Sequence, residues 1–185
     1  MEQSDLLRYL INAFDSLGIS YFITGSIASI FYGEPRFTND IDIVVDIEEN
    51  HIQRLIKMFP ENEFYISEEA IREAIIHKDQ FNIIHPSSGL KIDVIICKKN
   101  DFDRSRFKRI RKIKPIEDVE ANFASPEDVV IMKMLYYKEG GSEKHLRDVT
   151  GILKISGDVI DRNYIENWAE KLDVKDIWLA ILKEL

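Results

Sequence analysis

Three acidic residues stand where acids are unusual. Asp40 and Asp42 are two apart in the run DIDIVVD, residues 40–46, whose alternation predicts a strand with both carboxylates on one face. Asp93 lies inside LKIDVII, between Ile92 and Val94, where an ionised side chain is costly unless a cation or hydrogen bonds compensate it. Carboxylates meeting from adjacent strands suit a hard divalent cation such as Mg²⁺ or Mn²⁺, which adds water and phosphate oxygens to its shell. Two such ions about 3.5–4 Å apart clamp the attacking and leaving oxygens of a phosphoryl or nucleotidyl transfer. The blander alternatives are a polar strand start at Asp40 and Asp42, and an Asp93 satisfied by backbone amides or by Arg36.

Gly25-Ser26 follows the β-branched and aromatic run ISYFIT and opens a short helical stretch. Glycine lets a backbone approach closely, free amides at a helix start attract phosphate, and the serine hydroxyl adds a donor. Ser26 could equally serve as a helix cap alone. A Gly-Ser turn at the mouth of a strand, then Asp-x-Asp fourteen residues on, then an acid inside a later strand is a more specific combination than any of its parts.

The elements that must position these residues are legible from pattern. Ser4 is expected to cap a helix carrying Leu6, Leu7, Leu10, Ile11, Phe14 and Leu17, ended by Gly18. Strands are expected at 19–24, 40–46, 81–85 and 90–97, the last two as a hairpin around Pro86-Ser87-Ser88-Gly89. Helices are expected at 26–32 and 49–59, and another after Ser67. From Ser125-Pro126, a cap followed by proline and two acids, the pattern is helical: about 126–139, 143–155, 161–171 and 173–184. The expected fold class is α+β, a mixed sheet flanked by helices (1–124) followed by a C-terminal helical bundle (125–185). Trp168 and Trp178 sit at helical spacing with apolar neighbours and are read as core. The four histidines show no ligand spacing.

Charge is segregated. The chain of 185 residues carries a net −8. Residues 98–114, KKNDFDRSRFKRIRKIK, hold nine basic side chains against Asp101 and Asp103, a local +7 that leaves −15 elsewhere. Such a segment, expected as a mix of loop and strand, is either a footprint for a polyanion such as RNA or a charged edge that keeps strands from pairing with other chains. Apolar residues at 45% and charged ones at 31% exclude wholesale disorder. The lone Cys97 excludes an internal disulfide and a cysteine-rich zinc module. No apolar run approaches the ~20 residues of a membrane span. The acidic, polar start MEQSDLLRYL is unlike a secretory leader, so a cytoplasmic protein is expected.

The order Gly25-Ser26, Asp40-Ile41-Asp42 and Asp93 resembles the DNA polymerase β-like nucleotidyltransferase superfamily. The strings GSIASIFYGEPRFTNDIDIVV, SPEDVVIMKML and KHLRDVTGIL look like its branch of AbiEii-type toxin nucleotidyltransferases. The resemblance spans about residues 19–155. It implies that Asp40, Asp42 and Asp93 bind Mg²⁺ or Mn²⁺, with Asp93 also helping to activate an acceptor hydroxyl. It implies that Gly25 and Ser26 hold the phosphates of an NTP and that Lys133 and Asp148 lie near the nucleotide, with Arg36 and Thr38 as phosphate or acceptor contacts. Read from the residues alone, Lys133 could be a solvated helix lysine and Asp148 could pair with Lys144 or His145. The implied activity is transfer of an NMP to a hydroxyl of an RNA 3′ end, a protein or a small molecule, in a toxin-like enzyme with a partner protein. The competing readings are a catalytically silent nucleotide-binding or antitoxin-like module, and a metal-dependent nuclease that has no need of Gly25-Ser26.

Overall fold

The computed structural model describes residues 1–185. Helix α1 (Gln3–Leu17) buries Leu6, Leu7, Leu10, Ile11 and Phe14, the expected stripe. It starts a residue before Ser4, with Glu2 at the cap position and its N–H donated to Asp5, 3.1 Å away. The carboxylate one turn in thus replaces the expected serine cap. Gly18, at φ 67°, ends the helix. Strand β1 (Ser20–Thr24) runs directly into helix α2 (Gly25–Tyr32), and strand β2 (Asp40–Asp46) follows a loop. The stretch 49–59 opens as a 3₁₀ turn before helix α3 (Ile52–Met58). A two-residue strand β3 (Tyr65–Ile66) precedes helix α4 (Glu68–His77), capped as expected by the Ser67 hydroxyl on Ala70 N–H at 3.2 Å. Strands β4 (Gln80–His85) and β5 (Leu90–Ile96) form the expected hairpin.

The basic segment departs from expectation. Its first half is helix α5 (Asp101–Lys108), capped by Asn100, whose side chain accepts Asp103 N–H at 2.8 Å. Only then come the antiparallel strands β6 (Arg111–Ile116) and β7 (Val119–Phe123). Helix α5 hides from pattern reading because two of its three buried residues, Asp103 and Arg106, are charged. Helices α6 (Pro126–Gly140), α7 (Glu143–Ser156), α8 (Arg162–Lys171) and α9 (Lys175–Glu184) complete the chain as expected. Trp178 is buried among them; Trp168 is partly buried against Phe102, with Lys171 over its ring.

The seven strands form one mixed sheet in the order β3-β4-β5-β2-β1-β7-β6, flanked by helices. β2 runs parallel to β5 and antiparallel to β1. The strand period of two divides the sheet's faces. One face carries Ile41, Ile43, Val45, Ile92, Val94, Phe81 and Ile83, all buried, under α1, α3 and α4. The other carries the acids of β2 and β5, with α2 and α6 packed beside them and α7 on both helices.

Candidate active site

The site begins with strand register. Asp42 is the partner of Thr24 on one side and of Asp93 on the other, and Asp93 is the partner of Asn82. Directly paired residues share a face, so Thr24, Asp42, Asp93 and Asn82 form a polar row across four strands. One step along, Asp40 pairs with Lys91. The three predicted acids therefore share one side of the sheet.

Gly25 explains how Asp42 is held. It has φ 60°, and a methyl group there would overlap the Asp42 carboxylate. The glycine lets the start of α2 close onto that side chain, and Ser26 N–H donates to Asp42 Oδ2 at 3.2 Å. Burial pushes the Asp42 carboxyl above the usual carboxylate range and the Asp93 and Asp40 charges add to this, against the Ser26 N–H and Lys133.

Asp93 is engaged at both oxygens. The Asn82 side-chain amide donates to Oδ1, and Lys91 Nζ lies 3.0 Å from Oδ2 and 3.7 Å from Asp40 Oδ1. Asp93 is not paired with Arg36. No three acids, histidines or cysteines stand around a ready-made metal position.

Arg36 reaches across the start of α2. Its Nη2 donates to Ser26 Oγ at 2.7 Å, and Nε and Nη2 grip Asp148 at 2.9 and 3.0 Å. Lys133 Nζ donates to the same carboxylate at 2.7 Å. Lys133 is thus a buried lysine facing the site, and Asp148 is committed across helices rather than to Lys144 or His145. Burial lowers the Lys133 pKa, with Asp148 opposing. For Asp148 burial works against ionisation, but hydrogen bonds from Arg36 and Lys133 outweigh it and hold the carboxyl below its usual range. The Thr38 hydroxyl lies 3.4 Å from Asp40 N, and Gln3 donates to the Thr38 carbonyl at 2.8 Å, so Thr38 braces the loop entering β2.

Lys91, Asn82 and Tyr136 near these groups escape sequence reading, and His145 enters it only as a possible partner of Asp148. Lys91 and Asn82 become visible only through strand pairing, although Lys91 lies at the same-face i−2 position from Asp93. Tyr136 and His145 follow Lys133 and precede Asp148 by three residues on their helices, and their rings lie 5.6 Å apart. Burial raises the Tyr136 pKa, with the charges of Asp42, Glu139 and Asp93 adding to it and Arg106 opposing.

Two cavities adjoin the site. One of 340 Å³ lies beyond Arg36 and Asp148 and is lined by Ser29, Phe37, Lys144 and Arg147. Another of 440 Å³ lies on the acid-bearing face of the sheet, over Val44 and Ile95, walled by Phe102, Met132, Leu135 and Tyr136.

Five of the nine cations of the basic segment are ion-paired, and Lys98, Lys108, Arg111 and Lys114 stay exposed without an acidic partner. Arg106 is buried, 3.2 Å from Asp103 and over the Phe22 ring. Arg109 pairs with Glu127 at 3.0 Å and stacks on Tyr164. Lys99, Arg104 and Lys112 pair with Asp46, Asp101 and Glu120.

The chain matches no protein-family model and no curated protein in sequence. Solved structures do resemble it. ANT(2″)-Ia in complex with adenylyl-2″-tobramycin superposes with a TM-score of 0.61 at 12% identity, over 96% of this chain and 97% of that one. The lincosamide antibiotic adenylyltransferase LnuA, lincomycin-bound, gives 0.54 at 16%, over 84% and 98%. An antigenic nucleotidyltransferase-like protein from Paracoccidioides brasiliensis gives 0.54 at 22%, over 81% and 74%. A mixed sheet with acids on one face, a Gly-Ser helix start beside them and helices behind is, by these likenesses, a nucleotidyltransferase-like fold.

Proposed function

We propose that this protein is a metal-dependent nucleotidyltransferase that moves a nucleoside monophosphate from an NTP to a hydroxyl of a small-molecule acceptor. The observation that carries the reading is the register pair Asp42–Asp93 set against the Gly25-Ser26 helix start. The core (1–124) supplies the acids, and the helical subdomain (125–185) supplies Lys133 and Asp148 as the opposite wall.

The donor set fits Mg²⁺ or Mn²⁺. Asp40, Asp42 and Asp93 offer hard oxygens on one face, and a lysine ammonium is already drawn to the oxygens a cation would use. When bound there, the metal supplies Lewis acidity and charge neutralisation at the phosphates. The chain's own groups do the rest. The Ser26 hydroxyl, with Arg36 and Lys133, receives the β- and γ-phosphates, and the cavity beside Arg36, Lys144 and Arg147 extends that cationic surface. The acceptor oxygen bonds to the α-phosphorus as the bond to the bridging oxygen breaks. Pyrophosphate leaves with the electron pair, and the hydroxyl proton passes to Asp93. Most of the catalysis is positioning and electrostatics.

The second cavity supports a small-molecule acceptor. Its 440 Å³ falls within the size range of small-molecule sites, and its lining joins an apolar floor to the polar groups of Tyr136, Asp103, Arg106 and Glu139. Ion pairs on five of the nine cations of residues 98–114 reduce the field a polyanion such as RNA would meet, leaving Lys98, Lys108, Arg111 and Lys114 to supply it. Two structural neighbours carry small-molecule ligands, lincomycin in one and adenylyl-2″-tobramycin in the other.

The test is incubation with each α-labelled NTP and Mg²⁺ or Mn²⁺ against lincosamide, aminoglycoside, total RNA and protein pools, with Asp40→Ala/Asp42→Ala as the blank. Label on a small molecule with release of pyrophosphate is the expected result. Label on RNA or protein alone overturns the acceptor assignment. No nucleotide binding and no transfer under any condition leaves the silent-module reading in its place.

A further inference from the structure

Lys91 is the one cation inside the acid row, and its position is set by the backbone. It is the parallel-strand partner of Asp40 and lies two residues before Asp93, so its side chain rises from the same face as both. The ammonium sits 3.0 Å from Asp93 Oδ2 and 3.7 Å from Asp40 Oδ1, joining acids from neighbouring strands. Asp93 cannot turn away from it, because the Asn82 amide holds the other oxygen. A divalent ion shared by Asp40 and Asp93 would stand between the same two carboxylates that the Lys91 ammonium now faces at 3.7 and 3.0 Å, and the two cations repel at that distance.

The lysine has somewhere to go. About a third of its side chain is exposed (36%), and its flexible four-carbon stem can carry the charge off the sheet surface. While in place it relieves repulsion among three carboxylates held by the sheet. Leaving without a new anionic partner forfeits those contacts; leaving when a triphosphate arrives does not. On the transferase reading above, on which this step rests, we propose that Lys91 is the resident cation of the acid site, holding Asp40 and Asp93 together and releasing them when a divalent ion enters with nucleotide phosphates. Lys91 thereby makes metal loading wait for nucleotide.

The test is binding of Mn²⁺, followed by the electron paramagnetic resonance of the free ion, to wild type, Lys91→Met, Lys91→Arg and Lys98→Met. Each is titrated without nucleotide and then with a non-hydrolysable NTP. Without nucleotide, Lys91→Met is expected to bind Mn²⁺ about tenfold more tightly than wild type, the scale of one nearby charge acting on a divalent ion. Lys91→Arg, which keeps the charge, is expected to stay near wild type. Lys98→Met, which removes a lysine from the neighbouring cavity wall, is expected to stay within about twofold. Adding the nucleotide is expected to close most of the gap between Lys91→Met and wild type. Equal or weaker Mn²⁺ binding by a folded Lys91→Met overturns the lysine's role and leaves the transferase reading standing. Failure of every variant to bind Mn²⁺ even with nucleotide overturns both. Should Lys91→Met not fold, the ¹⁵N-labelled side-chain ammonium of Lys91 in wild type decides. It is expected to shift when Mg²⁺ and nucleotide are added together, and a signal that stays unmoved overturns the proposal.

Discussion

Lys133 and Asp148 meet at 2.7 Å in the seam between α6 and α7, with less than a tenth of either side chain exposed. Arg36 takes the same carboxylate from the loop before β2, so one acid pairs with two cations, and Arg36 also donates to the Ser26 hydroxyl. Asp148→Ala leaves both without an acidic partner and is expected to cost about 3–5 kcal/mol, the range for breaking a buried pair from one side. The effect has a pH signature. The Asp148 carboxyl titrates below its usual value in the folded protein, so its contribution is complete above about pH 4 and is lost as pH falls through the folded value. Urea unfolding at neutral and at acid pH measures this: the gap between wild type and Asp148→Ala should shrink in acid.

Gly25→Ala tests the close approach of α2 to Asp42. The substitution adds a left-handed backbone penalty of about 1–2 kcal/mol and drives a methyl group into the carboxylate. Transfer is expected to fall by about 100-fold or more, the scale of an ångström of misplacement, with the chain still folded by circular dichroism.

Asp42→Asn separates stability from function. Burial raises the Asp42 pKa, so the folded state binds the proton more tightly than the unfolded one and loses stability as pH rises from the usual carboxylate value through the folded one. The amide removes that loss and can still accept the Ser26 N–H. In chelator at neutral pH the variant is expected to melt about 2 °C or more above wild type, with the advantage vanishing in acid, while nucleotidyl transfer is abolished.

Met132→Trp enlarges a side chain on the wall of the 440 Å³ cavity. The acceptor KM is expected to rise about tenfold while the NTP KM stays put, since the nucleotide is assigned to the other side of Asp42. Parallel initial-rate measurements with each substrate varied give the split.

The basic segment divides into fold and surface. Arg106→Ala removes a buried guanidinium between Asp103 and two aromatic rings and is expected to cost about 3 kcal/mol. The triple change of Lys108, Arg111 and Lys114 to Glu is expected to leave transfer to a small acceptor within about twofold, as read in the same labelling assay. A loss of transfer confined to these exposed cations would point back to a polyanionic acceptor.

Much of this was legible in the one-dimensional chain for local reasons. Carboxylates at Asp40, Asp42 and Asp93 interrupt apolar alternation, and alternation is a property of neighbouring residues. Caps such as Ser67 and Ser125 and the proline at 126 act within one turn, so the helices they start were placed closely. Helix α5 is hidden because two of its three buried residues, Asp103 and Arg106, are charged, and pattern reading assigns those to solvent. Other facts belong to the tertiary structure alone. That Asp42 stands opposite Asp93 and Asp40 opposite Lys91 depends on a register that pairs residues 51 positions apart; a slip of one residue would send every side chain of one strand to the other face. The convergence of Arg36 and Lys133 on Asp148 depends on how the helical wall docks. Residue types and short-range spacing could supply the acids, but only packing across the sheet could decide which cation sits among them.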